Sequence, residues 1–163
     1  MNESDFDTNQ TSTAQAVPSQ DADAGARAEN APKPINQAAP KVLIAEDEYL
    51  IAASIRDALM RYDKPLDVVV VQRTNMLVDN LNNLNPDVLL MDITLKGAMD
   101  GIEAIQHIKS SGQDFPVIYI TADSRITTLE RAEETEPVAY LIKPFREADL
   151  HKALTKALAL LEE

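Results

Sequence analysis

Val42-Leu43-Ile44-Ala45, followed by Glu46-Asp47-Glu48 and then by the amphipathic run to Tyr62, is the stretch that decides the fold. Four continuous apolar residues ending in an acidic triplet read as a short buried strand. Beyond it Ile51, Ile55, Ala58 and Leu59 recur at helical spacing. A strand that is apolar throughout has both faces covered, which is the condition of a parallel sheet flanked by helices.

The same unit recurs down the chain. Val68–Val71 is the second strand, and a helix over 75–84 follows with Leu77 and Leu81 one turn apart. Pro86 breaks the chain ahead of a third strand, Asp87–Met91. Asp100 has the features of an N-cap, with Glu103 three residues on, and Ile102, Ile105 and Ile108 form the buried stripe of a helix that Gly112 ends. Residues 115–120 (FPVIYI) give strand four. Ser124 to Thr135 reads as a polar helix with Ile126 and Leu129 inward. Val138–Ile142 is strand five, and 146–161 is a last helix with Leu150, Leu154, Leu158 and Leu161 on one face, a stripe read as core. Five strands alternating with five helices define an α/β domain built on a doubly wound five-stranded parallel sheet, with helices on both faces.

Residues 1–40 differ. They are rich in Ala, Gln, Asn, Ser, Thr and Asp, hold Pro18, Pro32, Pro34 and Pro40, and have Phe6 as their only aromatic. Such a segment cannot bury enough apolar surface to offset its chain entropy, and a disordered tail is expected there, with the folded domain over 41–163. The 163-residue chain is 45% hydrophobic, has no cysteine and carries a formal net charge of −12. Disulfides and thiolate metal sites are thereby excluded, and the acidity argues against a direct nucleic-acid surface. The N-terminus has no signal-peptide pattern and no run approaches a membrane span, so a cytoplasmic protein is the expectation.

In open α/β sheets the site lies at the carboxyl ends of the strands. Glu46, Asp47 and Glu48 follow strand one, Asp92 follows strand three, Thr121 and Asp123 follow strand four, and Lys143-Pro144 follows strand five. Each alone is ordinary: a carboxylate before a helix is commonly a cap, and a lysine before proline is commonly solvated. Together they bring three or four acids, a hydroxyl and an ammonium to one edge. Clustered carboxylates repel unless a cation neutralises them, which points to a hard divalent ion such as Mg2+. His107 and His151 read as surface or helix-packing residues, and Met91 and Met99 as packing.

VLIAEDE at 42–48, LLMDITL at 89–95, DGIEAI at 100–105, VIYITAD at 117–123 and AYLIKPF at 139–145, in that order and spacing, resemble the receiver domain of two-component response regulators. The resemblance spans about residues 41–161 and implies a flavodoxin-like strand order 2-1-3-4-5. Position by position it implies that Asp92 is the phosphoacceptor. Glu46, Asp47, Asp92 and the backbone carbonyl of Thr94 would hold Mg2+. Thr121 would read the phosphoryl group, Lys143 would supply the family's ammonium, and Tyr140 would be the aromatic switch. Thr94 and Asp123, each two residues past a motif position, would tune how long the phosphoryl group lasts. Lys143-Pro144 is implied to be cis. Glu46 stands where many relatives have Asp, and Ala139 where Gly is common.

These matches lead to the expectation of a single-domain response regulator, since the chain ends at Glu163. It would take its phosphoryl group from a histidine kinase or a histidine phosphotransfer protein. It would then signal to a downstream protein through helix four, strand five and helix five, as a monomer or a phosphorylation-dependent dimer, or act as a phosphate shuttle or sink. It would be a phosphoacceptor that assists its own modification and not an enzyme acting on outside substrates. The alternative is a receiver-like interaction module that works without phosphorylation. A phosphoester hydrolase is disfavoured, because Thr94 stands where such chemistry places a second carboxylate.

Overall fold

The computed structural model describes residues 38–163. The tail expected over 1–40 lies outside the described residues except for its last three. The Pro40 carbonyl already accepts a hydrogen bond from the Asp67 amide (2.9 Å), so sheet pairing begins one residue ahead of the expected boundary.

The strands are β1 Lys41–Ala45, β2 Asp67–Val71, β3 Val88–Met91, β4 Val117–Thr121 and β5 Ala139–Ile142. The helices are α1 Tyr49–Met60, α2 Thr74–Leu84, α3 Gly101–Ser110, α4 Ile126–Glu133 and α5 Glu147–Ala159. All pairings are parallel, in the order β2-β1-β3-β4-β5. The chain therefore reverses its direction of winding between β1 and β3, and the crevice of a doubly wound sheet opens there.

Alternation along each strand divides the core into two layers. Leu43, Ala45, Leu89, Met91, Val117 and Tyr119 face Leu77 and Leu81 of α2, Ile102, Ile105 and Ile108 of α3, and Ala132 of α4. Val42, Ile44, Val88, Leu90, Ile118 and Ile120 face Ile55 and Leu59 of α1 and Leu150, Leu154 and Leu158 of α5. Burying each such side chain contributes roughly 1.5–3 kcal/mol before chain entropy is set against it. Asp100 closes the start of α3 as the sequence predicts: its side chain accepts the Glu103 amide and Glu103 returns the bond to the Asp100 amide, both at 2.8 Å. That reciprocal cap contributes about 1 kcal/mol.

Two sequence expectations are corrected. Helix α4 is shorter than 124–135, and Ile126 points to solvent at 72% exposure. Its buried positions are Thr128 and Ala132, one turn apart, and Leu129 is half-buried. The Asp123 carboxylate accepts from the Arg125 amide (3.0 Å) and the Thr128 hydroxyl (2.9 Å), which delays the helix start and rotates the threonine inward. Leu161 does not extend the stripe of α5. The helix ends at Ala159, and the Leu161 amide bonds to the Leu158 carbonyl three residues back, a tighter turn that leaves this leucine exposed. His151 packs as expected: its Nε2 lies 2.7 Å from the Ala58 carbonyl and its ring sits edge-on to Tyr62. His107 is exposed, and Met91 and Met99 pack into the core. Among the described residues no helix is long and apolar enough to cross a membrane.

Candidate functional site

Backbone pairing carries the functional residues to one edge of the sheet. The Glu46 amide donates to the Val71 carbonyl (3.0 Å), the Asp92 amide to Ala45 (2.9 Å) and the Lys143 amide to Thr121 (2.8 Å). Each acidic or basic side chain thus sits one residue past its strand, on backbone that the ladder still holds. Thr121 is itself the last residue of β4.

The centre is a triad of two buried carboxylates and one largely buried ammonium. Asp92 is 2% exposed and Glu46 1%. Lys143 Nζ donates to Glu46 Oε2 at 2.6 Å and to Asp92 Oδ2 at 3.2 Å. The other Asp92 oxygen accepts both the amide (2.9 Å) and the hydroxyl (3.0 Å) of Thr94. Glu46 Oε1 accepts the Glu48 amide at 3.0 Å. Burial pushes the Glu46 carboxyl above its usual range, and the neighbouring Asp92 charge adds to the rise against the pull of Lys143. Burial would lower the Lys143 pKa, but Glu46 and Asp92 outweigh it, so the net shift is upward and the ammonium keeps its charge. The Lys143-Pro144 peptide is cis, as the motif implies.

Asp47 stands at the mouth of this centre. One oxygen from each of Glu46, Asp47 and Asp92 lies within 4.8 Å of the others. Asp47 Oδ2 pairs with Lys96 Nζ at 3.1 Å. An all-oxygen set of three carboxylates, two of them buried, suits a hard divalent cation. Protein donors engage both oxygens of Glu46 and both of Asp92, so a metal would share these oxygens with them or displace a donor.

Thr121 and Tyr140 meet through Asp123. The Asp123 amide donates to the Thr121 hydroxyl (3.2 Å), and the Tyr140 hydroxyl donates to the Asp123 carbonyl (2.9 Å). The Tyr140 ring is half-buried, 6.1 Å from that of Tyr119, and burial raises its pKa, with Asp123 and Asp92 contributing. The Asp123 carboxylate turns to Arg125 and Thr128, and the Arg125 guanidinium holds it well below the usual carboxylate range. In this conformation the side chain is committed to α4 and not to Asp92.

Three supporting residues escaped the sequence reading. Gly101 begins α3 directly against the end of β3: a Cβ there would fall 2.4 Å from the Asp92 carbonyl oxygen. Its pairing with Asp100 in the DG motif was the available signal. Thr74 and Lys96 gave no signal, because their contact is made across the loop between β3 and α3.

A parallel doubly wound sheet with acids and an ammonium at the β1/β3 crevice defines a class of α/β proteins that handle anions and cations at the strand ends. The family model of the response regulator receiver domain matches residues 42–155. The chain belongs to that family. It is 33% identical over 124 residues to the transcriptional regulatory protein PdtaR of Mycobacterium tuberculosis, covering 76% of this chain and 58% of that protein. It is 32% identical over 101 residues to the regulatory protein LuxO of Vibrio vulnificus, covering 62% of this chain and 22% of that protein. The chain thus spans only part of the length of these curated relatives. Among solved structures it is similar to the signal receiver domain of a modulated diguanylate cyclase from Desulfovibrio desulfuricans, with a TM-score of 0.67 and 33% identity over 76% of this chain and 97% of that one. It is also similar to the isolated receiver domain of RcsB from Salmonella enterica, solved in the presence of the phosphomimetic BeF3-, with a TM-score of 0.64 and 25% identity over 72% of this chain and 86% of that one.

Proposed function

We propose that this receiver accepts a phosphoryl group on Asp92 from the phosphohistidine of a histidine kinase or histidine phosphotransfer protein. A carboxylate oxygen of Asp92 forms the new bond to phosphorus while the P–N bond breaks and the imidazole nitrogen keeps the electron pair. One observation carries the reading: a nearly inaccessible carboxylate is held at the crevice with Lys143 3.2 Å away and two further carboxylates beside it.

Glu46, Asp47 and Asp92, with the Thr94 carbonyl, would hold Mg2+, whose charge offsets that of the phosphoryl oxygens. Lys143 would add a second positive charge beside Asp92. Thr121 gives up its bond from the Asp123 amide to address the new phosphoryl oxygen. Because Tyr140 is bonded to the same residue, that exchange reaches the surface formed by α4, β5 and α5, and with it a downstream protein. Thr94, whose hydroxyl rests on Asp92, and Asp123 tune how long the phosphoryl group survives. A response regulator working in the cytoplasm, as switch or as phosphate shuttle, fits this chemistry.

A groove of about 590 Å³ beside the site, lined by Leu50, Ile51, Pro144 and Phe145, runs to Thr94 and Lys143. Leu50 at its rim is 80% exposed. Its continuity with the acceptor makes it the seat of the phosphodonor protein.

The test is an amide spectrum recorded with Mg2+ and beryllofluoride. The reading expects shifts at Asp92, Thr121, Asp123 and Tyr140. Unchanged resonances there would favour a module that works without phosphorylation.

A further inference from the structure

Two lysines neutralise the carboxylate site, and they do so differently. Lys143 is only 14% exposed and lies between Glu46 and Asp92. Lys96 comes from the loop between β3 and α3, is 79% exposed, and touches Asp47 alone. Its side chain is largely in water, yet the backbone it grows from is fastened. The Lys96 carbonyl accepts the amide of the buried Thr74 at 3.1 Å, and the Thr74 hydroxyl donates to the Met99 carbonyl at 3.0 Å. Gly97 lies so close that a Cβ would fall 1.9 Å from the Thr74 hydroxyl oxygen. The first residue of α2 therefore pins residues 96–99, and the ammonium is aimed at the mouth of the site from a fixed base.

We propose that Lys96 is a resident counter-ion which a divalent cation must displace from Asp47, so that Lys96 sets the metal concentration at which the site fills. This rests on the reading that Asp47 and Asp92 hold the metal. Without metal, the lysine neutralises the one carboxylate that Lys143 does not reach. When the cation arrives, the exposed ammonium swings into water at little cost, whereas Lys143 stays in place. An ion pair so exposed is weak, and its competition is modest and screened by salt.

The test is calorimetric titration of Mg2+ into the full chain and into Lys96→Gln, with Arg125→Gln as a control. Arg125 is a second exposed cation at this edge of the sheet and pairs with Asp123 instead. Lys96→Gln should bind Mg2+ about two- to fivefold more tightly than wild type at low salt, the range set by an exposed ion pair. The gain should shrink as salt rises, and Arg125→Gln should stay nearer wild type. Equal gains in both variants, or unchanged or weaker binding by Lys96→Gln, would overturn the role of Lys96 while leaving the metal site standing. No binding by wild type would remove the metal reading and this inference with it.

Discussion

The centre and the rim of the site use the same chemistry under opposite conditions. At the centre, Glu46, Asp92 and Lys143 are nearly or largely withdrawn from water, and each sits on backbone tied into the sheet. At the rim, Asp47 with Lys96 and Asp123 with Arg125 make equally short ion pairs, but each cation is more than three-quarters exposed. A buried charge cannot be left alone without large cost, whereas an exposed one is re-solvated at once. The centre is therefore fixed, and the rim is exchangeable. On the proposed function, the centre would set where phosphorylation occurs and the rim what reaches it.

Breaking the centre gives the largest effect. Lys143→Met leaves two buried carboxylates facing each other, and the metal-free protein should lose about 3 kcal/mol in denaturant unfolding. Added Mg2+ should return much of that loss. Stability unchanged by the substitution would place the centre in the same class as the rim.

Gly101→Ala strikes the centre from behind. The added methyl meets Asp92 backbone at 2.4 Å, so α3 or the end of β3 must give way. About 2 kcal/mol of destabilisation is expected, together with slower phosphorylation from a small donor.

Tyr119 extends the contrast to a buried neutral pair. Its hydroxyl lies 2.9 Å from that of Thr135, and burial pushes its pKa up to about 12. The raised value means that the folded state favours the neutral phenol. The stability this contributes is complete below the ordinary tyrosine pKa near 10 and is lost as pH rises through about 12. Tyr119→Phe should cost about 1 kcal/mol near neutral pH and remove the late phase from the ultraviolet tyrosine titration.

The smallest change in the isolated domain belongs to the groove beside the site. Leu50→Asp alters a residue 80% exposed, and the unfolding midpoint should stay where it is. Transfer from a phosphohistidine protein should slow, and labelling by a small phosphodonor should not. Equal slowing of both would detach the groove from partner docking.

The centre was also the part most legible in the sequence. Continuous apolar strands declare a parallel sheet, and such a sheet sends the residues after β1, β3 and β5 to one edge, so Glu46, Asp92 and Lys143 could be placed together before any coordinate was known. The rim was less legible because its geometry depends on loops. That Lys96 reaches Asp47 follows from the hold of Thr74 on a loop more than twenty residues away in sequence. That Asp123 turns to Arg125 follows from local hydrogen bonds that also shorten α4 and expose Ile126. Hydrophobic periodicity carries no information about either. It also misplaced Leu161, where one tighter turn ends the helical register.

The central claim is that Asp92 is the acceptor, and mass measurement after incubation with a small phosphodonor and Mg2+ tests it most directly. Wild type should gain one phosphoryl mass and Asp92→Asn none. Equal labelling of the two proteins, or no labelling of wild type, would contradict the account.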